Sequence, residues 1–485
     1  MNASRFQEPP QEVSVLIVGA GPAGLAAARV LVDVGVSVHM VDDNDQPGGQ
    51  YYRQLPAAFR VASNARLHRD QSRALDALAV LSHPLVTYWP KTTLWAMPQP
   101  REFSYARNGS TGRLHARTMI LATGAYDRPA PFPGWTLPGV VSAGGCLNLI
   151  KGQGILPGRR VALAGNGPLL LVAAYSLIRA GAKVVAIAEA ATTGVMMRQI
   201  AGLTSAPALL GLGLKYRARI LAAGVPMLSG YAAAGAGGIQ RIDKVSLAPV
   251  GSDGRLLVAQ TRNFDVDALV TGYGLSPSTE FARMIGCAMH FDPLLGGWVP
   301  QRSAALETSI QGIFGAGDGC GIGGVEVATA EGRVAARAVA DRLGVTHDRQ
   351  HVTAGRGLDR LNRFRCALSA AYELKAELQL ADDETVICRC EDVTRGRVRA
   401  AAREFGGDLR RIKSATRVSM GSCQGRNCLS SCASIVAKEC AIPLQSLPPQ
   451  RMRSPARPIP LASFLGETLG PPRAPVASDS MAPHA

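Results

Sequence analysis

The stretch from Val13 to Asp42 restricts the fold more than any other part of the chain. Val13 to Val18 is an apolar run with strand character that leads into Gly19-Ala-Gly21-Pro-Ala-Gly24. Leu25 to Val34 has helical spacing, Gly35 ends it, and Val36 to Val41 is a second strand closing at Asp42. Strand, glycine turn, helix and strand in about 30 residues make a βαβ unit of a doubly wound α/β fold. Gly19 allows the tight turn, Gly21 lets the backbone approach a pyrophosphate, and Gly24 permits close helix–strand packing. The helix N-terminus, entered through Pro22 and Ala23, offers N–H groups and a positive dipole end to phosphates. Asp42, with Asp43 beside it, sits where an acidic residue accepts adenosine ribose hydroxyls.

Further segments favour FAD over NAD for this half. Pro47-Gly48-Gly49-Gln50 follows the second strand at once and supplies backbone contacts to the phosphates and the flavin side, with Arg53 close behind. Leu121-Ala122-Thr123-Gly124 closes a strand begun near Thr118. Gly315-Ala316-Gly317-Asp318 follows the apolar pair Ile313-Phe314, and its aspartate can hold the ribityl or pyrophosphate region. Gly323-Gly324-Val325 opens a helix expected over Glu326 to Leu343, whose N-terminus could face the flavin pyrimidine.

A second βαβ candidate lies between these segments. Arg160 to Ala164 is a strand, Gly165-Asn-Gly167-Pro-Leu-Leu170 the turn, Leu171 to Ala180 a helix, and Val184 to Ala188 a strand ending at Glu189. Leu170 replaces the third glycine, so the helix packs at a larger distance and a standard NAD mode is disfavoured. This unit either holds a nucleotide (NAD, ATP or ADP) or is structural. Tyr273, within Val270-Thr-Gly-Tyr-Gly274, marks the return to the first unit.

Ten cysteines in 485 residues are too sparse for a disulfide scaffold, but four are grouped. They read Cys388-Arg-Cys390 and Cys423-Gln-Gly-Arg-Asn-Cys428. Two tight pairs of thiolates suit an iron–sulfur cluster or a zinc ion. The C-x-C and C-x4-C spacings are less usual for zinc, and the Gln-Gly-Arg-Asn loop is rich in donors to sulfur, which favours iron–sulfur. Lys413, Arg417 and Arg426 could neutralise a dianionic cluster, and Cys432 is a spare thiol. Cys146, Cys287 and Cys320 are isolated, so the flavin half lacks the dithiol of disulfide reductases. Each reads as a small buried hydrophobe, with Cys320 nearest the cofactor. His83, His115, His290 and His347 are scattered and read as surface or packing residues.

Lys and Arg exceed Asp and Glu to give a net charge of +16. The excess fits either an arginine-rich composition or a surface for an acidic partner subunit or the membrane face. Nucleic acid is not expected as a partner: aromatic–basic interleaving, helix-turn-helix and RNP-like motifs are missing. Neither a signal peptide nor an apolar spanning run is indicated, so the chain reads as cytoplasmic, with a peripheral place at the inner membrane face as the alternative.

Cys-Arg-Cys-Glu-Asp-Val-Thr (388–394) and Met-Gly-Ser-Cys-Gln-Gly-Arg-Asn-Cys (420–428) resemble the ferredoxin domain related to bacterioferritin-associated ferredoxin. That domain ends the FAD-containing α subunit of heteromeric amino-acid dehydrogenases and opine oxidases, with hydrogen cyanide synthase and sarcosine oxidase as relatives. Pro-Gly-Gly-Gln-Tyr-Tyr-Arg (47–53) resembles a segment of the same family. The resemblance implies FAD in the first unit and a [2Fe-2S] cluster on Cys388, Cys390, Cys423 and Cys428. It further implies FMN at a subunit interface in some members and ATP in the second unit. Expected partners are a β subunit of glycine-oxidase or D-amino-acid-dehydrogenase type, which carries the substrate site, and a small ferredoxin-like γ subunit. Electrons would leave to a quinone or the respiratory chain. No residue of this chain is then a substrate acid or base.

The expected order is therefore a FAD-binding domain over 1–150 and 271–345, interrupted by a degenerate nucleotide domain over 151–270. A helical connector (346–380), a BFD-like [2Fe-2S] domain (381–445) and a Pro/Arg-rich tail (446–485) follow. Within the connector, Leu358 to Leu380 has helical character, and Arg395 to Phe405 and Leu429 to Lys438 are expected as helices after the two cysteine pairs. The tail is either disordered or an arm across a partner or the flavin domain.

Overall fold

Apolar residues packed from both sides make a parallel strand, and Val15–Val18 are four such residues in a row. They end β1 (Gln11–Val18), after which the chain turns at Gly19 into α1 (Pro22–Asp33) and returns as β2 (Val38–Val41). Then come α2 (Gln71–Leu78), β3 (Val86–Trp89), β4 (Thr92–Gln99), β5 (Glu102–Arg107) and β6 (Ser110–Leu121). The first sheet runs β3-β2-β1-β6-β5-β4, parallel as far as β6 and antiparallel beyond. The computed structural model describes residues 11–56, 71–99, 101–345, 353–373 and 380–465.

After β7 (Ala125–Asp127), a second parallel sheet starts with β8 (Val140–Ser142), followed by α3 (Ala143–Gln153). It continues through β9 (Arg160–Gly165), α4 (Pro168–Arg179), β10 (Lys183–Glu189), α5 (Thr193–Arg198), α6 (Ile200–Leu203), α7 (Pro207–Ala222) and β11 (Met227–Ser229). A side sheet of β12 (Tyr231–Gly237), β13 (Lys244–Pro249) and β14 (Arg262–Asp265) precedes β15 (Ala268–Gly272). The second sheet has the order β11-β10-β9-β15-β8. Tyr273, buried at its end, accepts from the Ala233 backbone N–H at 3.1 Å. The chain then returns along β16 (Leu275–Pro277), antiparallel to β7.

Next come α8 (Glu280–Ile285), the hairpin β17 (Met289–Asp292) and β18 (Gly297–Pro300), and β19 (Ile313–Gly315), which adds to β6 in parallel. The helix α9 (Gly324–Arg342) packs tightly on α1: a side chain at Gly332 would strike the Ala23 carbonyl. Small residues on both helices, among them Ala27, Ala28, Ala335 and Ala336, are fully buried in the same core. Beyond α10 (Thr353–Ala371), a small unit comprises β20 (Val386–Cys388), β21 (Val393–Thr394), α11 (Arg395–Phe405), α12 (Leu409–Thr416) and α13 (Leu429–Glu439). Its own core includes Ile387, Val393, Val398, Ile412 and Val436. α12 was not expected from the sequence; Asp408 caps it by accepting from the Arg410 and Arg411 N–H groups. The connector helix expected over Leu358 to Leu380 runs instead over Thr353–Ala371 and has ended by Tyr372; residues 374–379 lie outside the described residues.

The segment after α13 settles on the first sheet as far as α14 (Ala462–Leu465). Ala456 is wholly buried in the core that holds Leu16, Phe103 and Met119, and its N–H donates to the Trp95 carbonyl at 2.7 Å. The Phe464 ring meets Trp95 edge-on at 5.5 Å. Residues up to 465 thus lie as an arm on the first sheet, the unit expected to hold flavin; the last residues lie outside the described ones.

Candidate functional site

The turn after β1 leads the chain tightly into an uncapped helix N-terminus. Gly19 has φ +109°, and a Cβ there would strike the Ala122 carbonyl; one at Gly24 would strike the Gly19 carbonyl. The N-terminus of α1, with Pro22 and Ala23 in its first turn, is capped by no side chain, since its N-cap is Gly21. Its first N–H groups therefore remain for a ligand. The second glycine turn lies against the first: Gly48 N–H donates to the Ala20 carbonyl at 2.8 Å, and a Cβ on Gly49 would stand 2.9 Å from the Gly21 Cα. Gln50 follows and accepts from Arg53 Nη2 at 2.9 Å.

Asp42 ends β2 beside this turn. Its Oδ2 accepts from Ala20 N–H at 2.6 Å and its Oδ1 from the Asn44 backbone and side chain, each at 2.8 Å. Burial pushes the carboxyl up, and the N–H groups of Ala20 and Asn44 oppose that. A carboxylate has about four acceptor sites, so one more hydroxyl fits. Asp43 is more exposed and lies 3.6 Å from Arg457 of the C-terminal arm.

Thr123 and Gly124 follow β6: Thr123 Oγ1 donates to the Ser278 carbonyl at 2.7 Å, and the Gly124 carbonyl accepts from Ser278 N–H at 3.0 Å. Gly317 takes φ +77° and donates its N–H to Glu331 at 2.8 Å. Asp318 Oδ1 accepts from both Gly323 and Gly324 N–H at 2.9 Å. It thus caps α9, while Gly324 and Val325 open that helix onto a cavity. Arg73 from α2 closes one edge by a two-point pair with Glu326, with Nη2 to Oε2 at 2.8 Å. The cavity, of about 1260 Å³, is bordered by Tyr51–Arg53, the α4 and α7 faces, Gly323–Val325 and the Cys423–Cys428 loop residues Gln424–Arg426. The turns expected to hold flavin and the cysteine loop therefore open onto one space.

The cysteines come from a strand-and-turn segment and from a turn that leads into α13, held close. Cys388 ends β20, Cys390 lies in the next turn, and Cys428 immediately precedes α13. Gly421 lets the segments touch: a side chain there would strike Cys390. The thiols stand in two facing pairs, Cys390 with Cys423 and Cys388 with Cys428. Cys423 sulfur accepts backbone N–H groups of Gly425 and Asn427, and Cys390 sulfur that of Cys423, which pulls its thiol below the ordinary value. Burial pushes Cys428 well above it. Arg417, Ser419 and Gln424, leading into and within this loop, all have positive φ. Among the described residues, no three His, Cys, Asp or Glu side chains converge on one ion. Two pairs suit two irons with two thiolates each better than one tetrahedral zinc. Cys432, one helical turn on, is buried behind Cys388 and Cys428.

Of the three basic residues expected near the cysteines, Arg426 alone is bonded to their loop, donating to the Cys423 carbonyl at 3.2 Å. Arg417 instead pairs with Glu391 at 2.7 Å and Lys413 bonds Gln450. Cys146, Cys287 and Cys320 are buried apart from the cysteine unit.

The second turn differs from the first. Gly165 lets β9 approach β15, since a Cβ there would strike the Gly272 carbonyl, and Gly167 has φ +111° with open space beside it. Leu170 is fully buried and its side chain packs over Gly272. The glycine that makes room for the helix has moved to the neighbouring strand. Asn166 is engaged at both ends, donating to the Tyr372 carbonyl and accepting from Ala191 N–H, each at 2.9 Å. Glu189 is buried 3.4 Å from Arg217; burial pushes its carboxyl up, against Arg217 and Tyr372.

Residues 13–332 match the pyridine nucleotide-disulphide oxidoreductase family, and residues 386–438 match the BFD-like [2Fe-2S] binding domain. One subunit of the opine oxidase of Rhizobium meliloti is 30% identical over 93% of this chain and 86% of its own length. Hydrogen cyanide synthase subunit HcnB of Pseudomonas aeruginosa is 31% identical over 93% and 97%. Among solved structures, L-proline dehydrogenase from P. horikoshii superposes with a TM-score of 0.67 at 19% identity, over 94% of this chain and 80% of that one, which shows a common fold.

Proposed function

Since the chain belongs to the pyridine nucleotide-disulphide oxidoreductase family, in the group of the opine oxidase subunit of R. meliloti and HcnB, and adds a BFD-like [2Fe-2S] domain, we propose that it is the electron-transfer subunit of a heteromeric amino-acid dehydrogenase. The complex would oxidise the C–N bond of a secondary amino acid such as an opine, proline or D-hydroxyproline. The observation that carries this reading is one cavity bordered by both the flavin-side turns and the cysteine loop, with no dithiol in the flavin half.

In this reading the α1 N-terminus with Gly19, Gly21, Pro22, Ala23 and Gly24 holds the FAD pyrophosphate. Asp42 takes the ribose, and Gly48, Gly49, Gln50 and Arg53 flank the phosphates and the flavin side. Asp318 fixes the α9 N-terminus toward the flavin ring, and Thr123, Gly124, Gly317, Gly324 and Val325 line its place. Cys388, Cys390, Cys423 and Cys428 hold the cluster. When bound, FAD takes up electrons in pairs and the cluster passes them on singly. The residues of this chain hold and insulate these groups and perform no acid–base step on substrate.

A partner is supported by the surface. Leu214 and Leu221 on α7 are 60% and 55% exposed, and Gly211 and Gly213 have open space where side chains would stand. No Asp or Glu occurs from Ala190 to Ile242, so the face suits a partner that brings negative charge, such as a β subunit. The engaged Asn166 and Glu189 support a structural second turn over an NAD or ATP site. FMN between subunits and a small γ partner are further parts of the proposal. HcnB stands at nearly the same identity as the opine oxidase chain, so a glycine-oxidising, cyanide-forming complex is the second reading.

The test is purification from the native host, with assays for iron, sulfide and flavins. Co-purification of a second flavoprotein, with dye reduction by opines or imino acids, supports the reading; glycine with cyanide release selects the second. A lone chain whose flavin is rapidly bleached by NADH would replace both with a self-contained reductase.

A further inference from the structure

One buried carboxylate joins the cluster loop to the flavin half. Arg426, between Cys423 and Cys428, places Nε 3.0 Å from Oε1 of Glu280, the first residue of α8, and the two side chains are 14% and 3% exposed. Glu280 Oε2 accepts from Ser278 Oγ at 2.8 Å. Ser278 is in turn bonded through its backbone to Thr123 and Gly124, the end of the β6 segment assigned to the flavin. Tyr126 directs its hydroxyl at the same carboxylate. The other side of the Arg426 guanidinium donates to the carbonyls of Cys423, at 3.2 Å, and Ala456, at 2.6 Å. Arg283 is the second positive charge facing Glu280 and is held by the Gln450 carbonyl at 3.0 Å.

We propose that Glu280 is a positioning residue for electron transfer: through Arg426 it fixes the cluster loop on the flavin domain and sets the charge felt by the cluster. This rests on the reading that the four cysteines hold the cluster. A buried ion pair is poor evidence for stability as such, because desolvation offsets the attraction. Its effect here is on geometry and field. Arg426 is hydrogen-bonded to the carbonyl of a cysteine, so any charge that Glu280 does not cancel acts directly on the bound group. Adding one electron makes a cluster more negative, and an uncancelled positive charge favours that state.

The experiment is redox titration of the purified full-length protein, followed by electron paramagnetic resonance of the reduced cluster, for Glu280→Gln, Arg426→Gln and the double variant. Glu280→Gln keeps the shape and can still bond Ser278. It is expected to raise the cluster midpoint potential, by about 59 mV for each tenfold change in the reduction equilibrium. Arg426→Gln is expected to lower it, and the double variant to return toward the starting value, all with unchanged iron and flavin content. Opposite signs separate a field effect from mere loosening, which moves both singles the same way. Potentials unchanged in both singles, or shifted alike, overturn the proposal. A cluster-free readout covers the docking half: after chelation of iron, Glu280→Gln should be cleaved faster than wild type by limited proteolysis in residues 417–428. Equal cleavage overturns that half, whereas a wild-type protein without iron or sulfide would overturn the cluster reading instead.

Discussion

Gly24 and Leu170 stand at the same place in two copies of one turn and solve the same packing problem differently. At Gly24 the helix rides directly on the turn; at Leu170 it stands off, and Gly272 on the next strand yields the space. Gly24→Val therefore drives a side chain into backbone and should cost about 1–3 kcal/mol, with loss of bound flavin measured by absorbance in the purified protein. Leu170→Ala should cost about 2–5 kcal/mol in chemical denaturation without touching flavin content. His39 lies in the second strand of the first βαβ unit, where nothing in the sequence marks it as titratable within the core. It is buried, its ring lies edge-on to Trp89 at 4.2 Å, and burial, aided by Arg107, lowers its pKa to about 4. A histidine kept neutral in the fold binds its proton sooner in the unfolded chain. Its contribution is thus fully present above the unfolded value near 6.5 and is lost as pH falls from there toward 4. The loss is on the order of 3 kcal/mol. His39→Phe should flatten the stability–pH curve in that window, checked by urea melts at pH 4.5 and pH 7.

At the scale of elements, what the sequence revealed was local. The first βαβ unit and the Cys-Arg-Cys pair are written in neighbouring residues, where spacing dictates both the turn and its chemistry. α11 occupies Arg395–Phe405 as its pattern foretold, and α13 extends one residue past the expected Lys438. α12 was missed because eight residues leave little periodicity, although Asp408 before it is a readable N-cap. The Glu280–Arg426 pair was illegible for another reason: two charges far apart in sequence carry no mark of each other. The cysteine segments also set the clearest element-level expectation. Cys388→Ser on β20 should abolish visible cluster absorbance and iron content while FAD remains bound, because the flavin turns lie on other elements. Unchanged iron would place the ligands elsewhere.

At the scale of the molecule, Pro/Arg composition foretold an extended tail but could not say where it would lie. Burial of Ala456 against the first sheet is a tertiary fact, decided by the shape of a groove that is itself assembled from distant segments. Ala456→Glu should expel the arm, at about 3 kcal/mol, and remove an acceptor from Arg426; the readouts are thermal stability and protease sensitivity. Trp135 joins the second sheet's unit to the cysteine unit by donating to the Val386 carbonyl at 2.7 Å. The cysteine unit is therefore held from both sides, and no helix among the described residues is long and apolar enough to cross a membrane.

The buried Ala456 has a consequence for synthesis. The sheet that begins at residue 11 does not gain its last strand until β19, and its flank is not covered until residue 456 has been made. During translation the N-terminal half therefore waits, with an apolar flank open, while the residues between it and Ala456 are made. Nascent chains stalled just before residue 455 would carry nearly every flavin-side residue yet lack the strip that covers the first sheet's flank.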